Sequence, residues 1–278
     1  METRIERKPF SLHPPGGGTI SGDLSLGRTE RSPVPVLIFC HGFKGFKDWG
    51  GWPYMAEQLA ETGFAVITFN FSHNGVGADL FEFTEPDKFK ENTYSREEAE
   101  LRFLLDAVRR GAVPLFERLD SERIGLIGHS RGGFAALIAG SSERGVQAVA
   151  TLASIADVSG VSTEEEERWR AEGVKYVLNA RTGEKLPLGV SLLEDSHKRR
   201  GDIERAVRAL KVPLLIIHGD SDEAVPLTAA EKLHDWCSTS ELIVIPSGTH
   251  TFGMKHPFSG PTPELTQVVT QLATFFSK

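Results

Sequence analysis

Gly128-His129-Ser130-Arg131-Gly132 sets a serine between two glycines, at a spacing that suits a sharp turn. The pentapeptide follows the apolar run Arg123 to Gly128 and precedes a segment with Phe134, Leu137 and Ile138 on one side, so the serine sits where a strand gives way to a helix. Small residues there let the chain bend tightly enough to hold a strained serine at the tip of a sheet, and the start of the following helix favours an anion formed beside it. A serine hydroxyl is a poor nucleophile until a base takes its proton, and the base needs a carboxylate to orient it. Both are available, in a consistent chain order. Val212 to His218 runs into Gly219-Asp220-Ser221-Asp222-Glu223, which puts acidic groups at a strand's C-terminal end. Asp222 is the preferred carboxylate, with Asp220 and Glu223 as competitors. Leu242 to Pro246 runs into Ser247-Gly248-Thr249-His250, and His250 is the expected general base. His256 is its rival, further from the strand end.

Acyl transfer also needs donors for the oxyanion of a tetrahedral intermediate. The backbone N–H of Arg131, just after the serine, is one candidate. The other is the backbone N–H of Phe43 in His41-Gly42-Phe43-Lys44-Gly45, where the glycines allow close approach. Five of the other histidines have plainer readings: His41 as a structural hydrogen bonder, His129 within the turn, His218 at a strand end, and His73 and His234 without a partner at a revealing spacing. No histidine pair has the spacing of a zinc site, and both the dinucleotide-binding and P-loop glycine patterns are absent, so neither metal nor cofactor is expected.

The elements that must position these groups can be read from periodicity. Val34 to Cys40, Phe64 to Phe71, Arg123 to Gly128, Val146 to Ala153, Val212 to His218 and Leu242 to Pro246 are short apolar runs, as for parallel strands buried on both faces. Segments around Phe10 and at Ile20 to Leu26 read as antiparallel edge strands. Ser95 with Glu98 forms a capping-box pattern ahead of Leu101, Leu104, Leu105 and Val108. Thr262 and Pro263 open a helix whose buried side is Leu265, Val268, Val269, Leu272 and Phe276. The alternation lapses over residues 155–211, which read as a cap inserted into a core of residues 1–154 and 212–278. Within it, Lys175 to Leu178 and Lys185 to Leu188 predict a hairpin around Asn179 to Gly183. Trp49, Trp52 and Tyr54 read either as core or as the lining of an aromatic pocket, and Phe69 to Gly75 is placed at the pocket's border.

The 278 residues carry 31 basic against 38 acidic side chains, a net charge of −7, which disfavours nucleic acid or an anionic membrane as partner. Cys40 and Cys237, far apart, read as buried reduced thiols. The charged stretch Met1 to Pro9 and the lack of a long apolar run lead us to expect a soluble cytoplasmic protein. A homodimer through exposed cap surfaces is compatible with the sequence, although no stripe marks its face.

With Ser130, Asp222 and His250 in that order, the chain resembles the α/β-hydrolase superfamily over most of its length. It is most similar to the bacterial dienelactone-hydrolase-related and cinnamoyl (feruloyl) esterase-like groups, through the His41-Gly42-Phe43 turn and an insertion after the sixth strand. Dienelactone hydrolases proper carry a cysteine where this chain has Ser130. The resemblance implies an α/β fold with a mostly parallel sheet of about eight strands. It makes Ser130 the nucleophile, Asp222 the acid, His250 the base, and Phe43 and Arg131 the oxyanion donors. The activity implied is cofactor-independent cleavage of small carboxylic esters. Thioester or peptide hydrolysis by the same residues, and a non-enzymatic ligand-binding relative, are the alternatives.

Overall fold

Runs of Val, Ile, Leu and Phe too short for helices form strands, because such side chains pack well on a pleated surface. The computed structural model describes residues 5–29, 32–158, 160–179 and 182–278. Its elements are β1 (Ile5–Leu12), β2 (Ile20–Gly27), β3 (Val34–Cys40), α1 (Trp52–Glu61), β4 (Ala65–Asn70), α2 (Pro86–Glu91), α3 (Tyr94–Arg109), β5 (Leu119–His129), α4 (Gly132–Gly140) and β6 (Val146–Leu152). There follow α5 (Thr163–Glu172), β7 (Val174–Leu178), β8 (Lys185–Gly189), α6 (Val190–Arg199), α7 (Asp202–Ala209), β9 (Leu214–Gly219), α8 (Thr228–Trp236), β10 (Glu241–Ile245) and α9 (Pro263–Phe276). Among the described residues, eight strands form one sheet in the order β1-β2-β4-β3-β5-β6-β9-β10. From β4 to β10 neighbouring strands are parallel, while β2 is antiparallel to both β1 and β4. This is the helix-flanked, mostly parallel sheet that the resemblance implies.

Alternate side chains of each central strand enter opposite cores. Val36 and Ile38 of β3 face α3, α4, α7 and α8, whereas Leu37 and Phe39 face α1 and α9. Since the parallel strands point the same way, the loops leaving β3, β5, β9 and β10 gather at one sheet edge. Two local expectations need correcting. β2 is an interior strand, because both of its backbone edges are paired, and only β1 is an edge. Helix α3 is capped not by Ser95 but by Thr93, whose hydroxyl accepts from Arg96 N–H at 3.1 Å. Ser95 lies one residue inside the helix, where its N–H (2.9 Å) and hydroxyl (2.5 Å) both donate to Asp195 of α6. The Thr262 cap of α9 is as expected, accepting from Leu265 N–H at 3.0 Å.

Between β6 and β9 the chain does two things. Ile203, Ala206 and Val207 of α7 join the main core beside α4 and α8, so α7 serves as a crossover helix of the sheet. The preceding part forms a smaller apolar cluster, in which Trp169, Leu186, Leu188, Leu192 and Leu193 meet Phe46, Val76 and Phe83 from the loops after β3 and β4 and Phe89 of α2. β7 and β8 pair antiparallel as the predicted hairpin, with Gly183 at φ +76°. Ala180 and Arg181 of its turn, and Met1 to Arg4 of the charged N-terminal stretch, lie outside the described residues.

Helix α3 buries an acid against the loop leaving β4. Glu100 accepts from Ser72 N–H (2.7 Å) and from the Ser72 hydroxyl (2.5 Å). Burial pushes its carboxyl up to about 7, against those two donors. An unfolded glutamate has already lost its proton between 4.5 and 7, while the folded chain retains it. The stability tied to this proton is therefore full below the unfolded value and is lost as pH rises through the folded one. We expect Glu100→Gln, which stays neutral, to raise thermal stability relative to wild type at pH 8 but not at pH 4, by about 1–3 kcal/mol. Melting curves at both pH values test this, and an equal shift at both would contradict it.

Candidate active site

The turn between β5 and α4 is as tight as the sequence spacing implies. Ser130 adopts φ +53°, a left-handed conformation that costs a non-glycine residue roughly 1–2 kcal/mol. It is pinned there by its own backbone: its N–H donates to Leu152 O (2.9 Å) and its carbonyl accepts from Gly133 N–H (3.0 Å). Helix α4 then passes so close to β3 that a Cβ on Gly132 would sit 2.2 Å from the Cys40 carbonyl oxygen, and one on Gly128 would sit 2.6 Å from Gly132 O. The glycines flanking Ser130 are thus required by contact between backbones.

The loops after β9 and β10 bring the other two groups to this serine. The Ser130 hydroxyl donates to His250 Nε2 at 3.0 Å, and His250 Nδ1–H donates to Asp222 Oδ2 at 2.8 Å. The Asp222 side chain is buried, and its Oδ1 accepts from the Ala224 and Val225 amides, each at 2.9 Å. Burial alone would raise its carboxyl, but hydrogen bonds from His218, His250 and the Val225 N–H outweigh this and hold it well below the usual carboxylate range. Asp222 therefore remains an acceptor for His250.

The competitors are engaged elsewhere. Asp220 accepts from Ser247 N–H (2.8 Å) and the Ser221 hydroxyl (3.0 Å), tying the two loops together, and Glu223 is exposed. His256 Nδ1 accepts from Gly50 N–H at 3.0 Å while its ring stacks on Trp49. His41 Nδ1–H donates to Gly42 O (2.9 Å) and its Nε2 accepts from Phe71 N–H (3.3 Å), which makes it the structural residue expected. His129 Nε2–H donates to the His250 carbonyl at 2.9 Å. Burial pushes His41 down to about 4 and His129 down to about 3, so both rings stay neutral beside the site.

Among the described residues, neither the Phe43 nor the Arg131 amide N–H has a protein acceptor. A Cβ on Gly42 would lie 2.9 Å from Ser130 Cβ, so the Phe43 turn runs directly against the serine. Lys47 steadies that turn: its N–H donates to Asn70 Oδ1 (2.7 Å) and its buried ammonium donates to Asp23 (2.5 Å) and to Asp48. The Arg131 side chain forms a buried pair with Glu97 (2.9 Å), which also accepts from Asn92 (2.7 Å), and lies 4.2 Å from the centre of the Tyr94 ring. Sequence reasoning overlooked Glu97. Its signal was there to read, since it falls on the same helical face as Leu101, Leu104 and Val108 and is a charge at a core position.

Ser130 and His250 open into a cavity of about 460 Å³. Phe43 and Tyr94 contribute one part of its wall, and Trp169, Val177, Leu188 and Leu192 contribute another from the segment between β6 and β9. Trp169 is held in place by its indole N–H, which donates to Leu188 O at 2.9 Å. Trp52 is buried in the α1/α9 core and Trp49 and Tyr54, partly buried, pack against it; none of the three lines the cavity. Phe69 to Gly75 does not reach the cavity wall either: Phe69 and Phe71 are fully packed in the main core. Among the described residues, no group of three or more His, Cys, Asp or Glu side chains is placed to hold a metal ion, and no helix is long and apolar enough to cross a membrane.

A model of the alpha/beta hydrolase family matches residues 37–259. Among solved structures, the chain is similar to Est1E from Butyrivibrio proteoclasticus with ferulic acid bound, at 22% identity over 96% of this chain and 98% of that one, with a TM-score of 0.72. It is also similar to an esterase domain of a Rhodothermus marinus protein (20% identity, 97% of both chains, TM-score 0.65). A dienelactone hydrolase from Anabaena variabilis is a further structural neighbour (18% identity, 99% of this chain and 98% of that one, TM-score 0.63). At these identities the likeness is one of fold. No curated protein matches the chain in sequence.

The packing of α4 on β3 is directly testable. Gly132→Ala should lower the melting temperature, by an amount corresponding to about 1–3 kcal/mol, since the added methyl must push backbone away from backbone. An unchanged melting temperature would mean that α4 has room to spare.

Proposed function

The chain belongs to the alpha/beta hydrolase family, and we propose that within it this protein is a serine carboxylic-ester hydrolase working through an acyl-enzyme. The observation that carries the proposal is the continuous hydrogen-bonded chain from Ser130 through His250 to Asp222, opening into a cavity beside two unengaged amides. In the first half-reaction, Ser130 Oγ bonds to the ester carbonyl carbon as its proton passes to His250 Nε2. The carbonyl π pair moves onto oxygen, where the Phe43 and Arg131 N–H groups receive it. Collapse of this adduct breaks the bond to the alcohol, which leaves with the proton from His250. Water then takes the alcohol's place: it loses a proton to His250, its oxygen bonds to the acyl carbon, and Ser130 departs with that proton. Asp222 keeps the imidazole in the tautomer that accepts at Nε2.

The cavity walls bear on which acyl group fits. Phe43, Tyr94 and Trp169 present aromatic faces and Val177, Leu188 and Leu192 aliphatic ones, which suits a flat, apolar acyl chain of the aryl or cinnamoyl type. Of residues 155–211, expected from the sequence as the cap, α5 to α6 (163–199) act as such in this reading, closing the cavity over the serine and setting its depth, while α7 packs in the main core.

Ser130→Ala should lower kcat on p-nitrophenyl esters by about 10⁴-fold or more with the fold intact by circular dichroism, and Asp222→Asn by about 10⁴-fold. Retained turnover in the Ser130 variant would overturn the assignment. Across a wild-type panel of acetyl, butyryl, octanoyl and cinnamoyl esters with matched thioesters and amides, kcat/KM should be highest for the cinnamoyl ester. A preference for the thioester or amide would redefine the bond cleaved.

A further inference from the structure

Asp222 has a second histidine partner that the reaction as described leaves unused. His218, the penultimate residue of β9, is fully buried, and its Nε2 lies 2.9 Å from the Val225 carbonyl and 3.3 Å from Asp222 Oδ2. Both of these neighbours are acceptors, so the proton must sit on Nε2. Its Nδ1 is buried and has no hydrogen-bond partner among the described residues. A second proton there would be a buried, unsatisfied donor on a charged ring, which costs far more than an idle lone pair. The contacts thus specify one neutral tautomer of His218, with a single N–H shared between the two ends of the Asp222 to Val225 turn.

We infer that His218 is a positioning residue for the proposed relay: its Nε2–H holds the same Asp222 oxygen that orients His250. The inference rests on the serine-hydrolase reading but concerns a residue that lines no part of the cavity. Around the carboxylate, the Ala224 and Val225 amides fix Oδ1, while His250 and His218 share Oδ2. Among the described residues these two rings are the titratable side chains set against Asp222 Oδ2, at 2.8 and 3.3 Å. His129, whose ring centre lies 4.9 Å from that of His250, completes the set beyond them. Without the His218 donor, Oδ2 loses one of its two anchors and swings more freely. It also carries more negative charge toward His250, which holds a protonated His250 more firmly.

The test compares His218→Phe, which fills the space without a donor, with His218→Gln, whose amide N–H stands close to where Nε2–H stood. With p-nitrophenyl acetate, the Phe variant should lose about 10–100-fold in kcat with KM within about twofold, as orienting partners of active-site groups typically do. The acid limb of its kcat/KM profile should move to higher pH. The Gln variant should recover most of the kcat and return the limb to its wild-type position. The low-field proton resonance of His250 Nδ1–H should broaden or move in the Phe variant and be restored with Gln. Should the Phe variant not fold, His218→Asn, whose amide is too short to reach Asp222, should show the same loss and the same limb shift. A folded Phe or Asn variant with wild-type kcat, acid limb and resonance would overturn the inference, as would a Gln variant as impaired as Phe. If wild-type protein hydrolyses no ester, the serine-hydrolase reading falls on that result, whereas the His250 resonance still decides whether His218 holds Asp222.

Discussion

The active geometry depends on a backbone constraint at Ser130. A serine held at φ +53° gains nothing locally from that conformation, so the surrounding structure must impose it. It does so by closing α4 onto β3 and β5 to the point where Cβ atoms at Gly128 and Gly132 would meet main chain. The same contact fixes the direction in which Ser130 Oγ leaves the sheet, brings the Phe43 turn against Ser130 Cβ, and sets the Arg131 amide at the start of α4. The proposed nucleophile and oxyanion donors, and the start of α4, thus all take their places from one close crossing.

Around that crossing the protein controls charge through burial. His41 and His129 are kept neutral by desolvation and act through fixed hydrogen bonds to Gly42 O and His250 O. Asp222 is equally removed from solvent yet stays ionised, because four donors converge on its two oxygens. Arg131 and Glu97 neutralise one another beneath the Tyr94 and Phe43 rings, where either charge alone would be costly to bury. Neutral imidazoles beside a stabilised carboxylate leave His250 as the group positioned to take up a proton from Ser130.

The segment between β6 and β9 is attached to α3 and to the loop after β3 at several points. Asp195 of α6 accepts from the first turn of α3, Arg199 pairs with Glu98, and the Lys44 ammonium donates to Leu178 O of β7 at 3.1 Å. Lys44 immediately follows Phe43, so the hairpin and the proposed oxyanion turn are linked through one side chain. Trp169, Leu188 and Leu192 pack on Phe46 and Phe89 in one apolar cluster, and with Phe43 and Tyr94 they give the cavity a wall drawn from both parts of the chain.

Much of this could be read from the chain in one dimension. The six parallel strands, the Thr262 cap of α9, the hairpin with Gly183, and Ser130 between its glycines all follow from turn chemistry and periodicity, which act over a few residues. The capping of α3 was misread because Thr93 and Ser95 are both competent caps, and the choice fell to Asp195, a hundred residues away. The preference for Asp222 over Asp220 and Glu223, and for His250 over His256, concerned groups of equal chemistry a few positions apart. Which of them faces Ser130 depends on how the β9 and β10 loops cross at the sheet edge. The pattern of α3 marks Glu97 as a charge on an apolar face, but its pairing with Arg131, and the places of Tyr94 and Trp169 on the cavity wall, are set by long-range packing. Residue type and short spacing set what each group can do, but a partner is chosen by long-range packing, since only the closed fold brings together groups that lie 28 to 120 residues apart.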